Sequence, residues 1–213
     1  MARVILLGGL PFSLVNFRGH LIRDLIVAGH EVIGCAGGED EEVADQLEKW
    51  GARYQPVKLE RTGLNPVADL GSIFDLKRAF TELKPDAIFA YTIKPVIYGS
   101  LAAKMAGVPR VHSMITGLGY AFMGNNLKQK ILGTVAKQLY RTALATNQGV
   151  FFQNEDDAGL FAQLGLVKRE KVTLTGGSGI DLTQFPLEPI PKGPVHFLMC
   201  GRILVEKGVR EFF

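Results

Sequence analysis

The sequence has little cysteine and no long hydrophobic run. Its two cysteines, Cys35 and Cys200, lie far apart in apolar surroundings. We predict that both are reduced core residues of a cytosolic protein, with no disulfide and no metal site. No apolar run reaches the roughly 18 residues that a membrane-spanning helix needs. The segment MARVILLGG at the start turns polar too soon for a signal peptide, and we expect none.

Composition excludes two further classes of protein. With 47% hydrophobic residues the chain is too apolar to be disordered, and its 25 glycines follow no three-residue period, which excludes collagen. Domains usually hold roughly 100–200 residues. The length of 213 residues therefore predicts one large domain, or one domain and part of another.

Acidic residues are absent from the middle of the sequence. Residues 87–154 contain no Asp or Glu, whereas residues 1–86 carry a net charge of −3 and residues 155–213 a net charge of −1. The seven basic residues of the middle stretch are Lys94, Lys104, Arg110, Lys128, Lys130, Lys137 and Arg141. A stretch that carries charges of one sign predicts a surface that binds phosphate or an anionic membrane. The alternative is that its basic residues lie on solvated helix faces.

Short apolar segments alternate along the chain with segments of helical periodicity. The predicted strands are residues 4–7, 31–36, 53–57, 87–91, 108–115, 150–153 and 171–174. Strands that alternate with helices form a parallel sheet with helices on both faces. We predict a doubly wound α/β domain over about residues 1–175.

The C-terminal part of the sequence differs in kind. Four prolines between residues 186 and 194 predict a linker over residues 176–194. Residues 195–200 are predicted to form another buried strand, followed by the first turn of a helix. We interpret residues 195–213 as the truncated start of a second domain. Its apolar strand should then pack on the first domain or support self-association of two copies.

Candidate binding residues follow the predicted strands, because open parallel sheets bind ligands at the carboxyl ends of their strands. Gly8 and Gly9 follow the first strand, and they either admit a ligand close to the backbone or form a tight turn. Lys94 follows the fourth strand and suits a sugar or phosphate, or is a solvated cap. Thr116 and Gly117 begin a glycine-rich apolar loop after the fifth strand. The absence of G-x-G-x-x-G and of a P-loop disfavours a nicotinamide cofactor and a Walker-type nucleotide site.

Further candidates lie within a strand, in the linker and on a helix. His112 alternates with apolar residues in the fifth strand, and is interpreted as a buried histidine or, with Thr116, as a catalytic candidate. The linker residues Gly177, Ser178 and Gly179 could form an anion nest or a hinge. The helix after the glycine-rich loop is predicted to bind a membrane or another anionic surface. The alternative is that its apolar stripe faces the core of the domain. Its basic residues are Lys128, Lys130, Lys137 and Arg141.

Four motifs in order give the sequence a family resemblance. A glycine-rich first loop is followed by Gly-His-Glu-Val at residues 29–32, Gly-Ser-Gly-Ile-Asp at residues 177–181 and Gly-Arg-x4-Lys-Gly at residues 201–208. Together they resemble retaining glycosyltransferases of family 4, which have the GT-B fold, over the full 213 residues. Residues 92–103 and the loop from Thr116 are most similar to members that build bacterial lipid-linked surface polysaccharides.

The resemblance implies a hexosyl or N-acetylhexosaminyl transferase with no cofactor, which would use a nucleotide-sugar donor of UDP type. It implies an N-terminal domain that binds a lipid-linked or saccharide acceptor, and a cytoplasmic enzyme on the inner face of the membrane, with no nucleic-acid partner. Arg202 and Lys207 would contact the donor diphosphate and stabilise it as it departs. Relatives often carry His-Gly where this sequence has Thr116-Gly117, so no catalytic histidine is transferred.

The resemblance places the family's Glu-x7-Glu element, which holds the donor, beyond Phe213, and we therefore expect the chain alone to be inactive. Two alternatives stay open. One is a UDP-sugar 2-epimerase of GT-B fold, and the other is a non-catalytic α/β binding module.

Overall fold

The computed structural model describes residues 1–59, 66–118, 127–182, 185–190, 192–201 and 203–212. Within the first helix after residue 126, side chains are described from residue 133 onward. The described chain divides into two compact units, Met1–Gly179 and Ile180–Phe213.

Strands and helices alternate through the first unit. The strands are β1 (Arg3–Leu7), β2 (Glu31–Gly37), β3 (Arg53–Val57), β4 (Ala87–Tyr91), β5 (Arg110–Ile115), β6 (Gly149–Phe152) and β7 (Val172–Leu174). The helices are α1 (Pro11–Val27), α2 (Glu41–Lys49), α3 (Pro66–Leu83), α4 (Ser100–Ala106), α5 (Leu127–Ala145) and α6 (Glu155–Gln163). A π-helical turn at Pro95–Gly99 precedes α4, and a 3-10 turn at Arg169–Lys171 precedes β7.

The seven described strands form one parallel sheet in the order β3-β2-β1-β4-β5-β6-β7. The central strand β1 pairs with β2 on one side and β4 on the other, so that Ile5 lies beside both Ile33 and Ile88. From β1 the chain adds β2 and β3 on one side of the sheet, and from β4 onward it adds strands on the other side. At such a switch point a crevice opens at the carboxyl ends of the strands. The prediction of a doubly wound α/β domain is confirmed.

Helices cover both faces of the sheet, and each face has its own apolar core. On one face α1 and α2 pack their apolar stripes against β1 and β2, with Leu14 and Leu47 fully buried. On the other face α3 to α6 cover the sheet, and Phe80, Tyr140 and Phe161 are their largest buried side chains. Strands buried on both faces need the near-continuous apolar sequences that predicted them.

Local sequence signals fix the helix ends. Asn154 caps α6, since its side-chain oxygen accepts a hydrogen bond from the Asp157 amide at 2.7 Å, and Asp40 caps α2 in the same way. After α1, the amides of Gly29 and His30 donate to the carbonyls of Ile26 and Leu25. This closure needs the positive φ of 83° that Gly29 adopts without a steric penalty.

The second unit corrects two predictions. Residues 195–200 form no strand, and Val195, Phe197 and Leu198 are 80%, 85% and 88% exposed. An isolated apolar segment has no hydrogen-bonding neighbour to make it a strand, and the described residues of the second unit supply none. Cys200 is exposed for the same reason, so it is not a core residue, whereas Cys35 is buried in the first unit as predicted. A 3-10 turn (Val205–Lys207) and a short helix α7 (Val209–Phe212) follow.

Candidate functional site

A cavity of about 500 Å³ opens at the carboxyl ends of the strands, at the switch point between β1 and β4. Its walls come from the loop after β1, the first two turns of α1, the turn after β4, and residues that follow β3, β5, β6 and β7. All of these residues belong to the first unit. Of the predicted binding residues, Gly9, Lys94, Thr116 and Ser178 line it.

Tyr91 ends β4 beneath the loop after β1. Its phenol lies 2.9 Å from the Ser13 hydroxyl, which in turn donates to the Leu10 carbonyl at 2.6 Å. Burial raises the pKa of Tyr91 to about 12, so the phenol stays protonated and donates to Ser13. A Cβ on Gly8 would overlap the Tyr91 hydroxyl. Gly8 therefore lacks a side chain to make room for Tyr91.

Arg18 is a buried cation in the cavity wall. Its side chain is only 5% exposed, and its guanidinium lies over the Tyr91 ring, 4.8 Å from the centroid. One terminal nitrogen, Nη1, donates to the Phe17 carbonyl at 2.8 Å and the Ser178 hydroxyl at 3.4 Å, and the other, Nη2, lies 3.1 Å from the Met114 sulfur. Nε has no hydrogen-bond partner among the described residues. Burial lowers the pKa of the guanidinium, and the proximity of Tyr91 partly offsets this.

Sequence analysis missed Arg18, although a signal was present. Leu14, Arg18 and Ile22 are spaced four residues apart, so they share one face of α1, and all three are buried. An arginine on the apolar stripe of an amphipathic helix departs from the expected pattern, because charged side chains are almost never fully buried without a partner. That departure could have identified Arg18 as a candidate site residue.

Lys94 is neither solvated nor free. Its ammonium lies 2.8 Å from the carboxylate of Asp69 on α3, and the two side chains are 11% and 12% exposed. Burial, and to a lesser degree the Asp69 carboxylate, raises the pKa of the Tyr98 phenol. The alternative of a solvated cap is therefore wrong, because the ion pair holds Lys94 in the wall of the cavity.

The turn between β4 and the π-helix is strained. Thr92 has a φ of 70°, which a β-branched residue rarely adopts. A Cβ on Gly9 would lie 3.3 Å from its hydroxyl, so the glycine and the threonine approach closely. Strained backbone and π-helical turns both concentrate at functional sites, and here they adjoin the same cavity.

The two catalytic candidates are separated. Thr116 lines the cavity, whereas His112 lies within β5 with its ring against Phe151, the centroids 6.3 Å apart. His112 Nδ1 is buried and has no hydrogen-bond partner among the described residues. Burial, and to a lesser degree Arg110, lowers the pKa of His112. The described part of the predicted loop ends at residue 118, and Gly117 is not among the residues that line the cavity.

The linker residues Gly177, Ser178 and Gly179 lie at the end of the first unit. The Ser178 hydroxyl accepts hydrogen bonds from Arg18 and, at 2.7 Å, from the side-chain amide of Gln153. Gly177 and Gly179 have φ values of 109° and 71°, which glycine adopts readily. These contacts bring Ser178 to the cavity, but they do not identify an anion nest or a hinge.

The predicted donor residues belong to the second unit. Arg202 lies outside the described residues, and Lys207 ends the 3-10 turn, its amide donating to the Leu204 carbonyl at 3.0 Å. The roles assigned to these two residues remain predictions.

The predicted membrane or anion surface is described only in part. The side chains of Lys128 and Lys130 lie outside the description, and Lys137 is half-buried. Arg141 donates to the carbonyls of Leu164 and Gly165 at 3.0 and 3.2 Å, and so binds the carboxyl end of α6. In the part of the chain that the structure describes, no helix combines the length and the apolar character that a membrane crossing requires.

A parallel sheet with a cavity at its switch point defines an α/β protein that binds its ligand at the carboxyl ends of the strands. The chain belongs to the family of glycosyl transferase 4-like domains, whose model matches residues 15–176. The predicted resemblance to family 4 glycosyltransferases is thereby confirmed.

One curated relative from Campylobacter jejuni is 28% identical over 215 residues, covering 94% of this chain and 56% of that protein. It is named N,N'-diacetylbacillosaminyl-diphospho-undecaprenol alpha-1,3-N-acetylgalactosaminyltransferase. The chain thus spans little more than half the length of this relative.

Solved structures share the fold. MnaA from S. aureus, solved with UDP, has a TM-score of 0.60 at 19% identity, over 88% of this chain and 47% of that one. HepE from Anabaena, solved with UDP and glucose, has a TM-score of 0.59 at 13% identity, over 89% and 47% of the two chains. At such identities the likeness shows the fold alone.

Proposed function

We propose that this chain is the acceptor-binding part of a glycosyltransferase that moves a sugar from a nucleotide-sugar to a lipid-linked acceptor. The observation that carries the proposal is the cavity at the switch point, whose wall combines a buried cation with apolar side chains in a chain of this family. The name of the Campylobacter relative supports a lipid-diphosphate acceptor, and the UDP in the structures of fold relatives supports a UDP-linked donor.

The activity is tested with the full-length protein from which these residues come. A panel of labelled nucleotide-sugars is incubated with a polyprenyl-diphosphate-linked sugar, and with the same sugar lacking its lipid as the matched control. Transfer to the lipid-linked acceptor is expected, and transfer to the lipid-free sugar should be much slower. Residues 1–213 alone are expected to turn over no nucleotide-sugar, since the curated relative is nearly twice as long.

Two results would contradict the proposal. Release of an epimerised UDP-sugar without any acceptor would favour the UDP-sugar 2-epimerase. Binding of saccharide with no turnover by the full-length protein would favour a non-catalytic module.

We further propose that the protein acts in the cytoplasm and binds the inner face of the membrane peripherally through α5. Support comes from the charge pattern, because Lys128, Lys130 and Lys137 lie on this helix and residues 87–154 contain no acidic residue. Arg141 is better left unchanged in a test, since its guanidinium binds the carboxyl end of α6. Lys104 on α4 is exposed and serves as a control within the same basic stretch.

Flotation with vesicles that contain phosphatidylglycerol tests this surface. Wild-type protein should float with the vesicles at low salt and be released as salt screens the charges. Reversal of Lys128, Lys130 and Lys137 to Glu should weaken flotation, whereas Lys104→Glu should have a smaller effect. If the triple reversal floats like the wild type, the basic residues are solvated helix faces.

A further inference from the structure

Arg18 is a buried cation without a counter-charge among the described residues. Its hydrogen-bond partners are the Phe17 carbonyl, the Ser178 hydroxyl and the Met114 thioether, all of them neutral. The Tyr91 phenol beneath it is also neutral, since burial raises the pKa of Tyr91 to about 12. A charge removed from water is unfavourable unless an opposite charge compensates it. The described residues supply no such charge, and a bound anion would supply one.

The hydrogen bonds of the guanidinium are incomplete. Nε is buried and has no partner among the described residues, and Nη2 contacts a thioether, which is a weak acceptor. The bonds of Nη1 to the Phe17 carbonyl and the Ser178 hydroxyl are only partly buried, so a ligand in the cavity approaches Arg18 from the side of Nη1. A guanidinium binds the oxygens of a carboxylate or phosphate through such charged donors.

The cavity around Arg18 favours an anion. No acidic residue is among the described residues that line it, and its second cation, Lys94, is already paired with Asp69. The positive charge of Arg18 is therefore uncompensated at the place where a ligand would enter. A site of low polarity strengthens its attraction for an anion.

The mouth of the cavity is apolar. Phe12 and Phe17 on α1 are 45% and 57% exposed, and their rings form an edge-to-face pair with centroids 6.2 Å apart. Leu10 and Ile93 line the same cavity. Exposed aromatic side chains beside a buried cation fit a ligand that carries an anionic group on an apolar chain.

We propose that Arg18 binds a phosphate oxygen of a diphosphate whose apolar chain lies against Phe12 and Phe17. The inference rests on the proposed function, because it places the diphosphate of a lipid-linked acceptor in this cavity. The same chemistry is present in the diphosphate of a nucleotide donor, and the two sources are separated by experiment.

Isothermal titration of the 213-residue chain tests the site with farnesyl diphosphate, inorganic pyrophosphate and UDP as probes. Farnesyl diphosphate should bind more tightly than pyrophosphate, and Arg18→Gln should weaken its binding at least tenfold. Arg23→Gln is the matched control, because Arg23 lies on the same helix but stacks on Trp50 outside the cavity. It should change the affinity less than twofold. Arg18→Lys, which keeps the charge and loses the guanidinium, should lie between the two.

Three outcomes would overturn the inference. Absence of binding by all three probes removes the anion site, and equal binding by the wild type and Arg18→Gln removes the role of Arg18. Binding of UDP in preference to farnesyl diphosphate, lost in Arg18→Gln, assigns the diphosphate to the donor and refutes the acceptor assignment.

A fold control keeps the result interpretable. Circular dichroism of Arg18→Gln should match that of the wild type, and farnesyl diphosphate should raise the unfolding temperature of the wild type more than that of Arg18→Gln. Equal stabilisation of the two proteins by farnesyl diphosphate would refute the role of Arg18. Binding is measured without sugar transfer, so failure of the proposed activity leaves this test unaffected.

Discussion

At the scale of single residues, the cavity is built from side chains that hold one another in place. Tyr91 supports Arg18 through its ring and Ser13 through its hydroxyl, and Asp69 fixes Lys94. A guanidinium over an aromatic face contributes about 0.5–2 kcal/mol, depending on burial. Such mutual contacts fix the geometry of the cavity in the absence of a ligand.

The contact of Tyr91 with Gly8 predicts the cost of a side chain there. Gly8→Ala places a Cβ against the Tyr91 hydroxyl and ring, and should destabilise the fold by about 1–3 kcal/mol. Gly159→Ala is the matched control, since Gly159 lies in α6 with no atom within 4 Å of its added Cβ. That variant should be neutral or more stable by up to about 1 kcal/mol. Urea unfolding measures the stability of both variants. Equal changes in stability for Gly8→Ala and Gly159→Ala would show that Tyr91 does not require a glycine at position 8.

The ion pair of Lys94 and Asp69 predicts strongly unequal effects of single and double substitution. Asp69→Asn leaves a buried ammonium without its carboxylate, and should destabilise the fold by about 3–5 kcal/mol. The double variant Asp69→Leu with Lys94→Met removes both charges and should recover most of this loss of stability. The comparison is made by urea unfolding. A single variant as stable as the wild type would mean that solvent reaches Lys94.

The limits of sequence-based prediction are clearest at these residues. Lys94 was predicted at the end of a strand because its position follows from local sequence alone. Its partner Asp69 lies 25 residues earlier on α3, and a contact of that separation exists only in the folded chain. Arg18 carried a periodicity signal, but its lack of a counter-charge depends on the neutral groups that β5 and the end of the first unit place around it.

At the scale of elements, apolar runs predicted the strands of the first unit. The limits of β3 and β4 agree with the sequence prediction. The π-helical turn at Pro95–Gly99 was not predicted, since a single turn is too short to reveal its period. Residues 195–200 have the apolar pattern of a strand, but a strand also needs neighbours that local sequence does not reveal.

His112 on β5 predicts a pH dependence of stability. Burial and Arg110 lower the pKa of His112 in the folded chain, so below about pH 6.5 the unfolded chain takes up a proton that the folded chain resists. The free energy of unfolding should therefore fall between pH 7 and pH 5. His112→Phe should reduce this fall, because a phenyl ring does not titrate and His112 already packs on Phe151.

Urea unfolding at several pH values provides the measurement. An unchanged pH dependence in His112→Phe would refute the assignment to His112.

At the scale of the whole molecule, the structure changes the meaning of the charge pattern. The basic stretch of residues 87–154 carries seven cations. Lys94 is compensated by Asp69 from outside the stretch, and Arg141 is bound to carbonyls at the end of α6. Among the described residues of the cavity wall, Arg18 is the one cation that lacks a counter-charge. It belongs to residues 1–86, whose net charge is negative. Net charge by segment therefore predicts a surface, but it does not locate a buried ligand site.

The two compact units predict that the first folds by itself. All described buried apolar residues lie between Ile5 and Val167, whereas Val195, Phe197 and Leu198 are exposed. Deletion of residues 180–213 should therefore change the free energy of unfolding by less than about 0.5 kcal/mol. An exposed apolar segment promotes association, so the 213-residue chain should self-associate with rising concentration while residues 1–179 stay monomeric.

Urea unfolding and sedimentation velocity test these two expectations. Phe197→Ser with Leu198→Ser in the 213-residue chain is the matched control, because it removes the apolar side chains and keeps the length. This control should sediment as residues 1–179 do, as a monomer. Association that persists in the control would place the contact elsewhere, and a large loss of stability on deletion would show that the second unit supports the fold of the first.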